Sequence, residues 1–458
     1  MAAKAPNEQL ETLIVEAGIS NAGLAHRVIT AAAARGLPTP RYNHASVARW
    51  LAGQHPRGEV PDLISEIFTG LLGRRVSRAD AGMPEVRHTD MALAYPADLQ
   101  AAADAAAALY ATDSRRRDAF TKAAFASAAY FMPVLRWMTA PHAELAERHG
   151  NVHVGAAQVD AIRQVTTTFR HLDNQLGGGY ARSTVVQYLA DEVAPMLRSG
   201  SYTAAVGREL FSAAAEMTLL AGWMAYDLEQ HPATQRYLIQ ALRLAQGAGS
   251  ATLGGEILAA MAAQAAYLGD SGGAIDMARA AAGAAKRGGS GALLAEALVT
   301  EAHGHALAAD RRACAVLLAE AHQALDQSAD EPVFLAYFDG AYLAARSGRA
   351  LLDAGDADGA VRSLRVSLEM APGYERGRVL NLTTLSTALT AAGQVDEACA
   401  VAASAAAGGR PLASTRVETE LRHLAGRLAP YGGQSEVSRV LKSLPAGRRS
   451  SRALPAAR

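Results

Sequence analysis

The sequence predicts an all-α protein in which a small N-terminal helical domain is followed by a long array of paired helices. Half of the 458 residues are apolar, but only 5% are aromatic. This composition favours close-packed helices, because the β-branched and aromatic runs typical of strands are scarce. Apolar residues also recur at helical spacing along most of the chain, and a pattern of two helices joined by a turn repeats in its C-terminal half.

Four short helices are predicted in the N-terminal domain. They span residues 7–17, from a cap at Ser20 or Asn21 to near Gly36, from a cap at Asn43 to Leu51, and 61–72. In the third helix, Val47, Trp50 and Leu51 share the face that we expect to be buried, and Gly53 ends the helix. A short capped third helix in such a bundle is typical of a helix-turn-helix domain, which we place at residues 1–82.

The segment between Glu16 and Glu59 contains five arginines and no carboxylate. It can therefore lie on a phosphate backbone without electrostatic repulsion. In a helix-turn-helix domain the start of the third helix meets base edges, and the flanking residues meet phosphates. The expected base contacts are Asn43, Ala45, Ser46 and Arg49. The expected phosphate contacts are Asn21, Arg41, Tyr42, His55 and Arg57. The alternative is a small helical bundle with a solvated basic face.

Two stretches, GISNAGLAHRV and NHASVARWLAGQHPRG, resemble the DNA-binding module of xenobiotic-response-element (XRE) type regulators in the variant common in actinomycetes. The residues that carry the resemblance are Ala25, Val28, Ser46, Val47 and the Trp50-Leu51-x-Gly53 ending. The chain departs from the compact family pattern in a long turn before the third helix. The resemblance implies a DNA-binding transcriptional regulator.

The rest of the chain is predicted to be helical after a linker at residues 83–100. Residues 101–215 form a helical region that leads into the repeats, and residues 216–430 form degenerate repeats. The aligned inter-helix turns fall at Glu229, Gly269, Ala309, Gly355 and Gly393. We expect the arginine-containing tail, residues 431–458, to be disordered and to add nonspecific phosphate affinity.

The helix pairs resemble tetratricopeptide repeats, with a turn glycine, an alanine five residues later, an aliphatic residue four after that and a small residue three further on. The period is longer than in that family, and its aromatic residues are nearly absent. The fold class is thus all-α, an N-terminal helix-turn-helix domain followed by a tetratricopeptide-like α-solenoid. Stretches such as GWMAYDLEQ and YLIQALRLAQGAG resemble the C-terminal region of actinomycete regulators that join both modules. Some of those regulators are associated with sporulation and antibiotic production.

The sequence carries no motif that predicts an enzyme, a cofactor or a metal site. The triple glycine at 177–179 lacks the residues of a phosphate loop and is interpreted as a helix stop. His303 and His305 diverge on a helix, and Cys314 and Cys399 are interpreted as buried thiols. No signal or membrane-spanning stretch is present, so we expect a cytoplasmic protein.

Two function classes remain open. The first is a transcriptional regulator that binds double-stranded DNA as a homodimer and senses an unknown peptide, small molecule or protein effector through its repeats. The second is a tetratricopeptide-like scaffold that assembles other proteins without sequence-specific DNA binding. The sequence does not indicate the effector-binding residues.

Overall fold

The structure is a computed structural model. It describes residues 6–34, 42–56, 60–74, 76–78, 80–83, 92–115, 120, 125–139 and 145–445. The chain divides into two compact units, residues 1–87 and 88–458, and each is described by itself.

The first unit contains the four predicted helices. They are α1 (Glu8–Glu16), α2 (Asn21–Ala34), α3 (His44–Leu51) and α4 (Val60–Leu72). Helix α2 packs against both α3 and α4. Each helix contributes apolar residues to one buried core, among them Leu10, Leu24, Val28, Trp50 and Phe68. Of the two caps that the sequence allowed for α2, Ser20 is used, since its Oγ accepts the backbone N–H of Gly23 at 3.1 Å.

Asn7 forms hydrogen bonds with three segments of the first unit, namely the start of α1, the end of α3 and residues 81–82. Its Oδ1 accepts the N–H of Leu10 at 3.0 Å, which caps α1, and its backbone N–H donates to the carbonyl of Leu51 at 2.8 Å. Its Nδ2 donates to the carbonyls of Ala81 and Gly82, both at 3.1 Å. The side chain is buried, so these bonds satisfy polar groups that water does not reach. They hold the end of α3 against the start of α1.

The second unit is built almost entirely of helices within the described residues. Those before the repeats are α5 (Leu99–Arg115), α6 (Phe131–Thr139), α7 (Ala156–Leu176), α8 (Gly178–Tyr188) and α9 (Ala194–Ser199). A turn of π-helix, Leu189–Val193, joins α8 to α9. Two strands of two residues each, β1 (Val152–His153) and β2 (Gly200–Ser201), pair in parallel, with Val152 opposite Gly200. The helix that was predicted to end at the triple glycine is α7, and Gly177 ends it with a φ of 89°.

Five helix pairs follow and form the α-solenoid. They are α10 (Ala204–Asp227) with α11 (His231–Ala248), α12 (Ala251–Tyr267) with α13 (Ser271–Gly288), α14 (Gly291–Leu307) with α15 (Arg311–Asp326), α16 (Gly340–Asp353) with α17 (Ala357–Ser367), and α18 (Glu375–Ala391) with α19 (Val395–Gly409). Consecutive helices pack against each other, as in a solenoid. The first repeat helix therefore begins at Ala204, before the predicted start at residue 216.

The turns between paired helices lie where the aligned sequence places them. All five aligned residues adopt a left-handed conformation, with φ of 56° at Glu229, 79° at Gly269, 61° at Ala309, 82° at Gly355 and 77° at Gly393. Glycine adopts this conformation without strain, whereas glutamate and alanine do so at a cost. The left-handed backbone therefore explains why glycine recurs at three of these five turns.

Two segments differ from their predicted character. Within the predicted linker, residues 92–98 pack on α11, because Gln240 donates to the carbonyls of Ala92 and Ala94 at 2.8 and 2.9 Å and Tyr95 is buried. After α20 (Thr415–Leu428), part of the segment predicted to be disordered forms α21 (Ser435–Ser443), which buries Val437 and Val440. Residues 446–458 lie outside the described part of the chain.

The helical array of the second unit closes on itself. Helices α7 and α8 precede the repeats, yet they contact helices that follow or end them. The N–H of Gly179 donates to the carbonyl of Ala413, and the N–H of Ala413 donates to the carbonyl of Leu176, both at 2.8 Å. A Cβ atom at Gly177 would lie 2.8 Å from Ala413 O, and one at Gly178 would lie 2.7 Å from Met224 O. The triple glycine therefore permits a close backbone approach as well as ending α7.

Cys314 and Cys399 are free and buried, as predicted. No helix within the described residues is long and apolar enough to cross a membrane.

Candidate functional site

The start of α3 is fixed by a reciprocal cap. Asn43 Oδ1 accepts the backbone N–H groups of Ala45 and Ser46, both at 3.1 Å, and Ser46 Oγ accepts the N–H of Asn43 at 3.4 Å. These bonds satisfy donors that the first turn of a helix leaves free. Asn43 is exposed, so its side chain holds the helix start at the surface of the unit.

The expectation that Ser46 belongs to the exposed face of α3 is wrong. Its relative exposure is 3%, and besides capping the helix its hydroxyl accepts a hydrogen bond from Arg49 Nη2 at 3.3 Å. Ser46 lies four residues before Trp50, which places the two on the same face of the helix. Trp50 is 4% exposed, and Tyr42 packs edge-on against it with ring centroids 5.2 Å apart. The outer face of α3 instead carries His44, Ala45, Ala48 and Arg49.

The other expected contact residues vary in exposure. His55 is exposed, whereas Asn21 and Tyr42 are half-buried. Arg41 and Arg57 lie outside the described residues. His44 and Ala48 were not among the sequence-based candidates. Measuring angular positions around the helix from the buried residues Val47 and Trp50 would have placed both on the exposed face.

The outer face of α3 differs in charge from the rest of the first unit. On α3, Arg49 is exposed, and no carboxylate lies on α2 or α3. One of the acidic residues of α1, Glu16, forms an ion pair with Arg74 at 2.6 Å. An exposed cation on a helix that carries no carboxylate is suited to a polyanion.

Comparison with protein families bears on this unit alone. The family model of the SP15 N-terminal domain matches residues 10–84. The match begins within α1, includes α2, α3 and α4, and ends before the second unit begins. No curated protein matches the chain.

The second unit contains a partly open cavity of about 290 Å³ where its helical array closes. Aromatic side chains form much of its wall, including Trp223, Tyr226, Tyr267, Tyr342 and Tyr374. Most of the polar residues that line it come from α7, before the repeats, and from α16, α18 and α20. A concave space with apolar walls and a few charged groups is typical of a small-molecule site.

Three of the arginines that line the cavity are neutralised by carboxylates. Arg376 Nη1 lies 2.9 Å from Asp173 Oδ1, and Arg416 Nε lies 3.4 Å from Asp227 Oδ1. Arg349 contacts Asp353 at 3.0 Å and Glu420 at 3.5 Å. Asp227 Oδ2 also accepts the N–H of Gly178 at 2.9 Å. The Arg376–Asp173 and Arg416–Asp227 pairs join helices near the start of the array to those near its end, whereas Arg349 and Asp353 lie on the same helix.

Two further arginines of the cavity have only neutral acceptors within the described residues. Arg170 Nη1 donates to the carbonyl of Phe334 at 3.1 Å, and Arg346 Nη2 donates to Thr300 Oγ1 at 3.1 Å. Neither guanidinium lies within ion-pair distance of a carboxylate in the described residues, although Arg170 interacts electrostatically with Glu216 and Glu256, and Arg346 with Glu296.

Two buried glutamates lie beside these arginines. Burial raises the pKa of Glu256 to about 8 and that of Glu296 to about 7. Tyr337 donates to Glu296 Oε2 at 2.9 Å and also acts on the Glu256 carboxyl, whose Oε2 atom is buried without a hydrogen-bond partner in the described residues. A buried oxygen without a partner is costly, so it indicates a group that a ligand could satisfy.

The histidines of α14 take part in separate contacts. His303 Nε2 lies 2.8 Å from Asp353 Oδ2, and His305 lies near Glu301 and Asp310. Within the described residues, no group of three or more potential ligands is placed to hold a metal ion.

Proposed function

We propose that this protein is a DNA-binding transcriptional regulator whose α-solenoid senses an effector. The outer face of α3 contacts base edges, and the flanking residues contact phosphates. The observation that carries the proposal is the α2–α3 arrangement, in which a capped short helix presents Arg49 from a segment with no carboxylate between Glu16 and Glu59.

The role of α3 follows from what it presents to solvent. Arg49 can form two hydrogen bonds with a guanine edge, and His44 and Ala48 extend the same face. Asn43 and Ser46 then act by fixing the helix start and, in the case of Ser46, by orienting the guanidinium of Arg49. Ser46 is a positioning residue in this proposal, because its hydroxyl is buried.

The resemblance to XRE-type regulators with tetratricopeptide-like repeats supports the finer part of the proposal. It suggests a role in developmental or antibiotic-production control. Because stacked solenoid helices can also pair two chains, the proposal includes a cytoplasmic homodimer on an inverted-repeat operator. Effector binding to the second unit changes DNA affinity only if the effector binds the two states of the protein unequally.

Genome-wide mapping of the DNA bound by the tagged full chain tests this proposal. We expect enrichment of a limited set of sites that share one sequence motif. An array that only assembles other proteins yields no shared motif, and that outcome would favour the scaffold over the regulator.

A further inference from the structure

We propose that the cavity of the second unit binds a small organic anion with an aromatic or apolar body. The anionic group pairs with Arg170 and Arg346, and the body packs against Trp223 and Tyr267. The sensing role of this ligand rests on the proposed function, but its binding does not.

The two arginines mark where the anion binds. Of the five arginines that line the cavity, Arg349, Arg376 and Arg416 are paired with carboxylates, whereas Arg170 and Arg346 donate only to neutral oxygens in the described residues. A guanidinium in a partly closed space interacts more strongly with an anion than it does at an open surface. No carboxylate of the described residues lies within ion-pair distance of either arginine, so a ligand anion can be their direct ion-pair partner.

The acceptors of these two arginines connect them to a common region of the wall. Arg170 binds the carbonyl of Phe334, in the segment that also carries Tyr337, and Tyr337 donates to Glu296. Glu296 lies four residues before Thr300 on α14, and Thr300 accepts the bond from Arg346. Arg170 thus contacts the segment that carries Tyr337, and Arg346 acts on the Glu296 carboxyl to which Tyr337 donates. Arg170, Arg346 and Tyr337 all line the cavity.

Glu256 adds a second polar contact without opposing the anion. Its buried Oε2 has no partner in the described residues, and burial raises its pKa to about 8. The carboxyl is therefore mostly protonated near neutral pH and adds little negative charge to the cavity. It can exchange a hydrogen bond with a donor or an acceptor on the ligand.

The rest of the wall fits a planar apolar body. Trp223 packs edge-on against Tyr226 with centroids 5.3 Å apart, and Tyr226 packs against Tyr267 at 5.3 Å. Aromatic rings held in this way offer a preformed surface that loses little entropy on binding. A volume of about 290 Å³ is at the lower end of the range for small-molecule sites, which favours a small organic molecule over a long peptide.

A matched pair of fluorescent probes tests the proposal on the full chain without DNA. The anionic probe is 1-anilinonaphthalene-8-sulfonate, and its control is N-phenyl-1-naphthylamine, which lacks the sulfonate. We expect saturable binding of about one anionic probe per chain, and at least tenfold weaker binding of the neutral probe.

Two variants locate the site. Arg346→Gln should weaken the anionic probe about tenfold and leave the neutral probe nearly unchanged. Arg287→Gln removes the same charge from an exposed position on α13 and should change neither. Circular dichroism and thermal unfolding confirm that each variant is folded, and Arg170→Gln replaces Arg346→Gln if the latter is not.

Three results would overturn the proposal: no saturable binding to the folded chain, equal affinity for both probes, or equal effects of Arg346→Gln and Arg287→Gln. None of them bears on DNA binding by α3. Conversely, a chain that binds the probe as expected but no DNA motif would retain the ligand site and lose the regulator.

Discussion

The guanidinium of Arg376 on α18 lies 2.9 Å from the carboxylate of Asp173 on α7, although 203 residues separate them in the chain. Both side chains are nearly buried, with exposures of 13% and 4%. Arg376 also donates to Asn174 Oδ1 at 3.3 Å and lies 3.6 Å from Asp227. This cluster joins the helices before the repeats to those near the end and forms one wall of the cavity.

Removal of Arg376 should strongly destabilise the second unit. Arg376→Ala leaves the carboxylate of Asp173 buried without its cation, so we expect a loss of about 3–5 kcal/mol of unfolding free energy. Arg378→Ala, an exposed position on the same helix, should change it by less than about 0.5 kcal/mol. Urea unfolding of both variants measures the difference. Equal stabilities would show that the closure does not depend on this ion pair.

The left-handed turns predict opposite effects of two small substitutions. Ala309 has a φ of 61°, so Ala309→Gly should relieve strain and raise the unfolding free energy by up to about 1 kcal/mol. Gly269 has a φ of 79°, and a Cβ added there would meet no atom within 4 Å, so Gly269→Ala should lower it by about 1 kcal/mol through conformation alone. Thermal unfolding of the two variants checks the signs, and changes in the same direction would refute the interpretation.

Glu256 should make the second unit less stable as pH rises. Its pKa is raised by burial from 4.5 to about 8, so the folded chain holds a proton that the unfolded chain releases between these values. The stabilisation is complete below pH 4.5 and is lost as pH rises through about 8, by an amount on the order of a few kcal/mol. Arg170, Glu216, Glu296 and Tyr337 also act on this group. Glu256→Gln should flatten the decline between about pH 5 and 8, as measured by urea unfolding at each pH. An unchanged slope would assign the decline to other groups.

Trp50 should stabilise the first unit without contacting DNA. It is 4% exposed and packs against Tyr42, so Trp50→Ala should cost about 3–5 kcal/mol. Hydrogen exchange of the backbone amides of α2 and α3 in the full chain reports this loss locally, and Trp50→Phe should retain most of the protection. Wild-type protection in the alanine variant would mean that Trp50 is not a core residue.

Local signals in the sequence were sufficient for the helices and the repeat turns. The bounds of α1 to α4 follow from capping residues, stop glycines and apolar spacing, and the five turn residues follow from internal alignment. The face of α3 was harder, because Ser46 resembles an exposed polar residue until its angle to Trp50 is counted. The capping partner of Asn43 was therefore assigned to the DNA-facing set.

The closure and its cavity could not be predicted in the same way. The contacts of Asp173 with Arg376 and of Gly179 with Ala413 join segments more than two hundred residues apart, and no local period relates them. The triple glycine is visible in the sequence, but its interpretation as a helix stop explains only part of its role. It also permits the close approach of another part of the backbone. Glu256 and Arg346 sit in alanine-rich helices whose sequence does not show that both face one cavity.

The affinity for a mapped operator in two arginine variants tests the central claim most directly. Arg49→Ala removes the exposed cation of α3, and Arg74→Ala removes an equal charge from the same unit, where it pairs with Glu16. We expect Arg49→Ala to weaken operator binding by roughly 1–3 kcal/mol, about five- to 150-fold, and to affect nonspecific DNA much less. Arg74→Ala should weaken both slightly and equally. Operator affinity that is unchanged in Arg49→Ala, or reduced equally by both substitutions, would contradict sequence-specific recognition through α3.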